Sequence, residues 1–185
     1  LLALQGAEII VSLAAEPEVV GSRNMRRRQI TAQSENLNCA YVYCSAGMME
    51  STQDGVYCGH SMIAENGAIL AENKPFGDKV FTVTEIDVNK LANERHHNTT
   101  IADDGDDACI VPFAQPIRET ALTRYVARNP FVPADDDELN ARAEAILQIQ
   151  SQGLAKRMRH AWAKTAVIGI SGGLDSTLAL LVAVR

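Results

Sequence analysis

The 185-residue chain has no apolar run approaching the ~20 residues of a membrane span, so no transmembrane helix is expected. It has no surplus of positive charge either: 17 Lys and Arg stand against 23 Asp and Glu, a net −6. That balance argues against a nucleic-acid partner, which normally needs a basic surface. Cysteine is scarce, at positions 39, 44, 58 and 109, and no pair has Cys-x-x-Cys spacing. Reduced cytoplasmic thiols fit this pattern better than a disulfide framework or a metal knuckle. No internal repeat is evident. The opening Leu1-Leu2-Ala3-Leu4 has no basic flank, and Gly6-Ala7-Glu8 is not a typical cleavage site, so no secretory leader is expected. It reads instead as a helix end running into a strand, so the chain is expected to begin mid-fold. What is present is a globular composition, 46% hydrophobic and 22% charged, enough for one domain or parts of two.

The apolar patterning predicts a buried strand over 7–13 and a helix over 28–38, with Ile30, Gln33, Ser34 and Leu37 on one face. Strands are expected at 40–44 and 56–63. Asn66-Gly67 is a hairpin signal leading to a return strand at 68–71. Alternation over 80–88 predicts a further strand, and a short helix is expected over 89–94. Asn129-Pro130-Phe131-Val132-Pro133 reads as a rigid linker. Asp135 to Glu138 then sits where acidic side chains suit a helix N-terminus. That helix is predicted over 136–160, with Gly153 as its weak point.

The most informative stretch is 169–177, Gly-Ile-Ser-Gly-Gly-Leu-Asp-Ser-Thr. The β-branched run 165–170 predicts a strand before it, and the apolar run 178–184 a helix after it. A strand, a Gly-rich turn and a helix N-terminus present backbone N–H groups and positive dipole to an anion. Gly172 and Gly173 let a phosphate approach the main chain, and Ser171, Ser176 and Thr177 add hydroxyls. No Gly-Lys-Ser/Thr is present, so this is not a Walker A loop. The Ser-Gly-Gly-x-Asp-Ser pattern resembles the pyrophosphate loop of ATP-pyrophosphatases, which cleave ATP between the α and β phosphates. The resemblance implies that Gly169, Ser171, Gly172, Gly173, Leu174, Asp175 and Ser176 bind ATP and its leaving pyrophosphate, with Asp175 organising Mg²⁺.

Other candidates carry less. Cys58-Gly59-His60 could place nucleophile and base on one strand face. With no basic neighbour in the sequence to lower the thiol pKa, a buried inert Cys and a hydrogen-bonded His fit better. Cys39 and Cys44 read the same way. Glu50-Ser51-Thr52 reads as a structural loop, His96-His97 as a surface helix end without ligand partners. Asp103 to Asp107 reads as a solvated acidic loop that lacks a calcium loop's alternate ligands. Arg26-Arg27-Arg28 reads equally as a solvated or subunit-contact face and as an anion-binding run.

Taken in order, the segments resemble glutamine-dependent NAD synthetases. The resemblance is carried by Gly-Ala-Glu-Ile-Ile (6–10), Ala-Tyr-Val-Tyr (40–43), Glu-Ser-Thr-Gln-Asp (50–54), Gly-His-Ser-Met-Ile-Ala-Glu-Asn-Gly (59–67), Thr-Glu-Ile-Asp-Val (84–88), Pro-Phe-Val-Pro (130–133), Ile-Gln-Ser-Gln-Gly-Leu-Ala-Lys-Arg (149–157) and the phosphate loop. It implies an α/β chain in three parts. Residues 1–128 would be the C-terminal part of a nitrilase-like glutaminase, an α-β-β-α sandwich. Residues 129–163 would be a linker and helix. Residues 164–185 would be the first β-loop-α unit of an adenine nucleotide α-hydrolase-like synthetase domain.

The implied reaction is that of a ligase: ATP and Mg²⁺ adenylate deamido-NAD, and ammonia from glutamine displaces AMP to give NAD. ATP, deamido-NAD and glutamine are the implied partners, in a cytoplasmic homo-oligomer with no permanently bound cofactor, no membrane and no nucleic acid. The family's Cys, Glu and Lys of the glutaminase lie upstream of 6–10, so no catalytic residue is expected in this chain, which is read as an internal fragment, inactive alone. The family's Asn-Leu-Ser-Ala-Ser-Pro is here Ser12-Leu13-Ala14-Ala15-Glu16-Pro17. The glutamine-holding serine thus falls on Glu16, and the basic residue expected six positions on falls on Ser22, beside Arg23. The alternatives are another ATP-pyrophosphatase, tRNA-modifying or GMP-forming, and a non-catalytic nitrilase-like assembly module.

Overall fold

A computed structural model describes residues 2–50, 52–79, 81–98, 109–116, 118 and 120–185. The described residues form an α/β structure with four strands and four helices: β1 (Ile9–Ala14), α1 (Ser22–Asn36), β2 (Ala40–Ser45), β3 (Met62–Glu65), β4 (Ala68–Glu72), α2 (Val88–His97), α3 (Asp136–His160) and α4 (Leu174–Val184). The chain divides into two compact units, Leu1–Arg124 and Tyr125–Arg185.

In the first unit the strands lie in sequence order in one mixed sheet. β1 and β2 are parallel, with Val11 opposite Val42, and α1 makes the crossover. β2, β3 and β4 run antiparallel. Asn66 (φ 46°) and Gly67 (φ 85°) turn β3 into β4, as the Asn-Gly pair predicts. A Cβ on Gly67 would sit 3.1 Å from Cβ of Glu35 on α1, so that turn has little room for any other residue. Residues 2–6 form hydrogen-bonded turns in place of the expected helix end. Gly6 is at φ +95°, Ala7 N–H reaches the Leu2 carbonyl (3.1 Å), and Gly6 N–H reaches that of Ala3 (3.2 Å). Arg95 of α2 donates to the carbonyls of Ala3 and Ala7.

The core forms where α1 lies on the sheet: Ile30, Tyr43, Met62 and Ala64, flanked by Ala14 and Tyr41. α1 begins six residues before the predicted position, and its buried stripe is Arg26, Ile30, Ser34, spaced by four. Gln33 and Leu37 are not in it. An arginine at a buried helical position hides the N-terminal half from any hydrophobic pattern. Ser34 is satisfied by the Cys39 carbonyl (2.7 Å). On the other sheet face, Ile9, Val11 and Leu13 of β1 are exposed.

Two expected strands are shortened or absent. β3 starts only at Met62, because Gly59 takes φ +65° and its N–H turns to the Ala46 carbonyl (2.9 Å). Residues 81–87 make no strand; Val80 lies outside the described residues, and Val88 opens α2. Alternation there reports two unlike faces, but among the described residues no strand supplies a ladder partner. Asp87 instead caps α2 by accepting from Lys90 N–H (2.9 Å).

In the second unit α3 runs unbroken through Gly153, capped by Asp135 on Glu138 N–H (2.9 Å). α4 packs on it, with Ser151 Oγ donating to the Val182 carbonyl (3.1 Å). The strand expected at 165–170 is absent: no described strand lies beside it, and Val167 is almost fully exposed. Among the described residues no helix is long and apolar enough to cross a membrane.

Candidate functional site

The phosphate-loop residues lie together in the second unit. Gly172 takes φ +81° and a Cβ on it would meet nothing within 4 Å, so glycine is required there by backbone conformation, not by crowding. Gly173 is the N-cap of α4 and supplies no side-chain cap. The N–H groups of the first turn therefore face outward unclaimed by a capping side chain, as an anion site requires. Ser171 and Ser176 converge, with hydroxyl oxygens 3.4 Å apart. Ser176 and Thr177 turn their hydroxyls back to the Gly173 carbonyl (3.0 and 2.9 Å), and Gly173 N–H points to Ser171 Oγ (3.4 Å). Gly169 precedes the loop with open space around it. Leu174 is exposed.

Asp175 sits in the first turn of α4, where its charge suits the dipole but would repel a phosphate. A divalent cation between them would remove that conflict, and Mg²⁺ is typically held by one or two carboxylates plus phosphate oxygens. One carboxylate at the loop mouth fits that donor set. Asp175 also borders a cleft of about 530 Å³ whose other walls are largely apolar, among them Leu154, Ile168, Leu178 and Val182.

In the first unit, Glu16, Ser22 and Arg23 are brought to one region, but each is engaged within the chain. Tyr43 donates to Glu16 (3.4 Å), Ser22 to Glu18 (2.6 Å), and Arg23 pairs with Glu72 (3.0 Å). They surround a polar cluster that no local motif announces. Arg26, 3% exposed, donates from Nη2 to Glu18 (2.6 Å) and from Nε to Nδ1 of the fully buried His60 (3.0 Å). His60 Nε2 meets Glu72 (2.8 Å), which Arg27 also contacts. The Cys58 thiol donates to Glu18 (2.8 Å). Of the three arginines in the basic run, Arg26 and Arg27 thus spend their charge inside the chain.

Burial opposes charge on Glu18, but donors from Cys58, Ser22 and Arg26 prevail and bring its pKa down to about 2. Burial, reinforced by Arg26 and Arg23, lowers His60 to about 4. Burial and the Glu18 hydrogen bond push the Cys58 thiol up. Arg26 is a basic neighbour the sequence did not reveal, 3.7 Å from the sulfur, yet burial and Glu18 keep the thiol protonated. All four cysteines are free. His96 and His97 end α2, and no group of three metal-ligating side chains occurs among the described residues. Glu50 borders a 430 Å³ cavity that Cys58, Ser61, Asn73 and Lys79 also line. Ser51 and the 103–107 acidic run lie outside the described residues.

No family model matches the chain. Comparison with curated proteins does find relatives. A protein of Mycobacterium leprae is 39% identical over 99% of this chain, and one of Mycobacterium bovis 38% identical over 98%. The chain matches a segment of glutamine-dependent NAD(+) synthetases. It spans 28% of the length of these two relatives. A glutamine-dependent NAD(+) synthetase of Thermotoga maritima is 23% identical over 97% of the chain. The glutamine-dependent NAD(+) synthetase match thus runs through both compact units and includes the phosphate loop.

Proposed function

We propose that this chain is a segment of an ATP-dependent ligase that adenylates deamido-NAD and amidates it with glutamine-derived ammonia to give NAD. The observation that carries the reading is the end-to-end match to glutamine-dependent NAD(+) synthetases, with an uncapped, glycine-bearing helix N-terminus at the position of the pyrophosphate-loop pattern. In this reading residues 1–128 belong to a nitrilase-like glutaminase part, 129–163 link it, and 164–185 open the synthetase domain.

Each loop residue has a defined task. Ser171 and Ser176, already facing one another, donate to the pyrophosphate. Gly172 and Gly173 give its oxygens access to backbone N–H groups. Asp175 holds Mg²⁺, which offsets phosphate charge. Charge develops on the bridging oxygen as the α–β bond breaks, and the backbone N–H groups at the start of α4, fixed beforehand, stabilise it, while Ser176 turns its hydroxyl from the Gly173 carbonyl to the ligand. Gly169 leaves the approach to the loop clear. For the glutamine side, Arg23 and Ser22 are the available contacts beside Glu16, once Arg23 exchanges Glu72 for a ligand carboxylate.

The test is a segment exchange. These 185 residues replace the matching segment of the Mycobacterium leprae synthetase, and NAD formation from deamido-NAD and ATP is measured with ammonia and with glutamine. Ammonia-driven activity is expected, and Ser171→Ala or Asp175→Asn should reduce it by one to two orders of magnitude, as lost charge-assisted contacts do. An active exchange protein indifferent to both substitutions would remove the loop from the chemistry. The glutamine-driven rate reports on Glu16, Ser22 and Arg23.

A further inference from the structure

We propose that Arg26, His60 and Glu72 form a histidine-gated latch that fastens α1 and the 15–23 segment to β4 while His60 is neutral and loosens them when it is protonated. The proposal concerns how this region is held and stands apart from the ligase reading.

The hydrogen-bond directions determine the ring's state. Arginine is only a donor, so Nδ1 of His60 must accept the Arg26 Nε–H at 3.0 Å. The proton of the neutral ring is then on Nε2, which donates to Glu72 at 2.8 Å. The ring is fully buried, so no water can replace either partner. Arg26 carries the tension onward: its other nitrogen holds Glu18 at 2.6 Å, and Glu18 N–H is tied to the Val56 carbonyl at 2.8 Å. One neutral imidazole therefore joins helix α1, strand β4 and the loop that leaves β1.

Every charged group around the ring bears on its protonation. From α1, Arg23, Arg26 and Arg27 oppose a further positive charge. From β4, Glu72 would favour it, but that carboxylate already serves Arg23 and Arg27. From the 15–21 loop, Glu18 favours it weakly and is held by Arg26. The Cys58 thiol and the Tyr43 phenol beside this group are neutral at pH 7, since burial raises both. A proton on Nδ1 would set N–H against N–H at the Arg26 contact and add a fourth cation to a cluster that holds two carboxylates. The latch then has no acceptor for Arg26 Nε, and the buried tie through His60 is lost, leaving the part-exposed Arg23 and Arg27 pairs with Glu72 to hold α1 to β4. The depressed folded pKa of about 4, against 6.5 for a free ring, gives the direction: the latch is fully formed above pH 6.5 and is lost as pH falls through 4.

The experiment follows the His60 ring of the 185-residue chain by long-range ¹H–¹⁵N correlation while hydrogen-exchange protection of α1 amides is recorded from pH 7 to 3.5. The expected result is an Nε2–H neutral ring at pH 7, a midpoint below 5, and at least tenfold loss of protection over residues 23–30 across that midpoint. The His60→Gln variant offers an acceptor to Arg26 and a donor to Glu72 without titrating, so its α1 protection should stay flat over the same range. A ring that is charged or Nδ1–H at pH 7, or one that titrates while α1 protection is unchanged, overturns the proposal. So does a folded His60→Gln variant that keeps the full pH response. If that variant does not fold, the titration of the unaltered chain decides alone.

Discussion

The two compact units are built by opposite means. Leu1–Arg124 has an interior: a sheet covered by α1, and a polar cluster in which Arg26, His60 and Cys58 are buried and Glu18 and Glu72 nearly so, with Arg23 and Arg27 at its exposed edge. Tyr125–Arg185 has the recognisable motif but no buried residue in either helix. The first unit gains its specificity from side chains far apart in sequence. The second has its recognisable motif in nine consecutive residues, with little packing around them. Substitutions should therefore unfold the first unit and silence the second.

The largest effect is expected from Arg26→Ala. It leaves the part-buried Glu18 without its cationic partner, held only by Ser22 and Cys58, and His60 Nδ1 without a donor; breaking such a buried pair typically costs about 3–5 kcal/mol. Urea unfolding of the 185-residue chain followed at Tyr43 or Tyr41 should show the loss. Met62→Ala, in the centre of the same core and fully buried, should cost about 2–5 kcal/mol through its cavity. A Met62→Ala midpoint unchanged from the parent would mean that the core is not where the sheet and α1 meet.

Acid should separate the units next. His60, lowered to about 4, binds its proton in the unfolded chain first, so stability falls as pH drops from 6.5 to 4. Glu18, lowered to about 2 from 4.5, adds a second loss between those values. Each contributes roughly a few kcal/mol to the first unit. Urea midpoints measured at Trp162, in the second unit, should not show these two steps. Smallest of all is Ile149→Ala on α3: the side chain is 72% exposed, and its removal should change stability by less than about 0.5 kcal/mol. A larger loss would mean that α3 is covered, and the contrast between the units would fail.

The same contrast explains what the amino-acid order reveals. Asn66-Gly67, Asp135 at a helix start and the Gly-rich turn into α4 are legible because turn and cap chemistry acts between neighbours. α1 was half hidden because its buried stripe begins with Arg26, a residue that periodicity assigns to solvent. Its partners Glu18, His60 and Cys58 lie 8, 34 and 32 residues away, and no spacing rule connects them. Residues 165–170 and 81–87 have β-branched or alternating patterns but no neighbouring strand, and a ladder cannot form from one side. Arg23 and Ser22 are placed side by side by the sequence, yet only the structure gives them Glu72 and Glu18 as partners.

The central claim is that Ser171 to Ser176 hold a pyrophosphate group. Backbone amide shifts of the 185-residue chain, titrated with magnesium pyrophosphate, test it most directly. Saturable shifts confined to Gly172–Thr177, abolished by Gly172→Ala, which strains a residue at φ +81°, are the predicted result. Shifts centred instead on the arginines of α1, with Gly172–Thr177 unmoved, would contradict it.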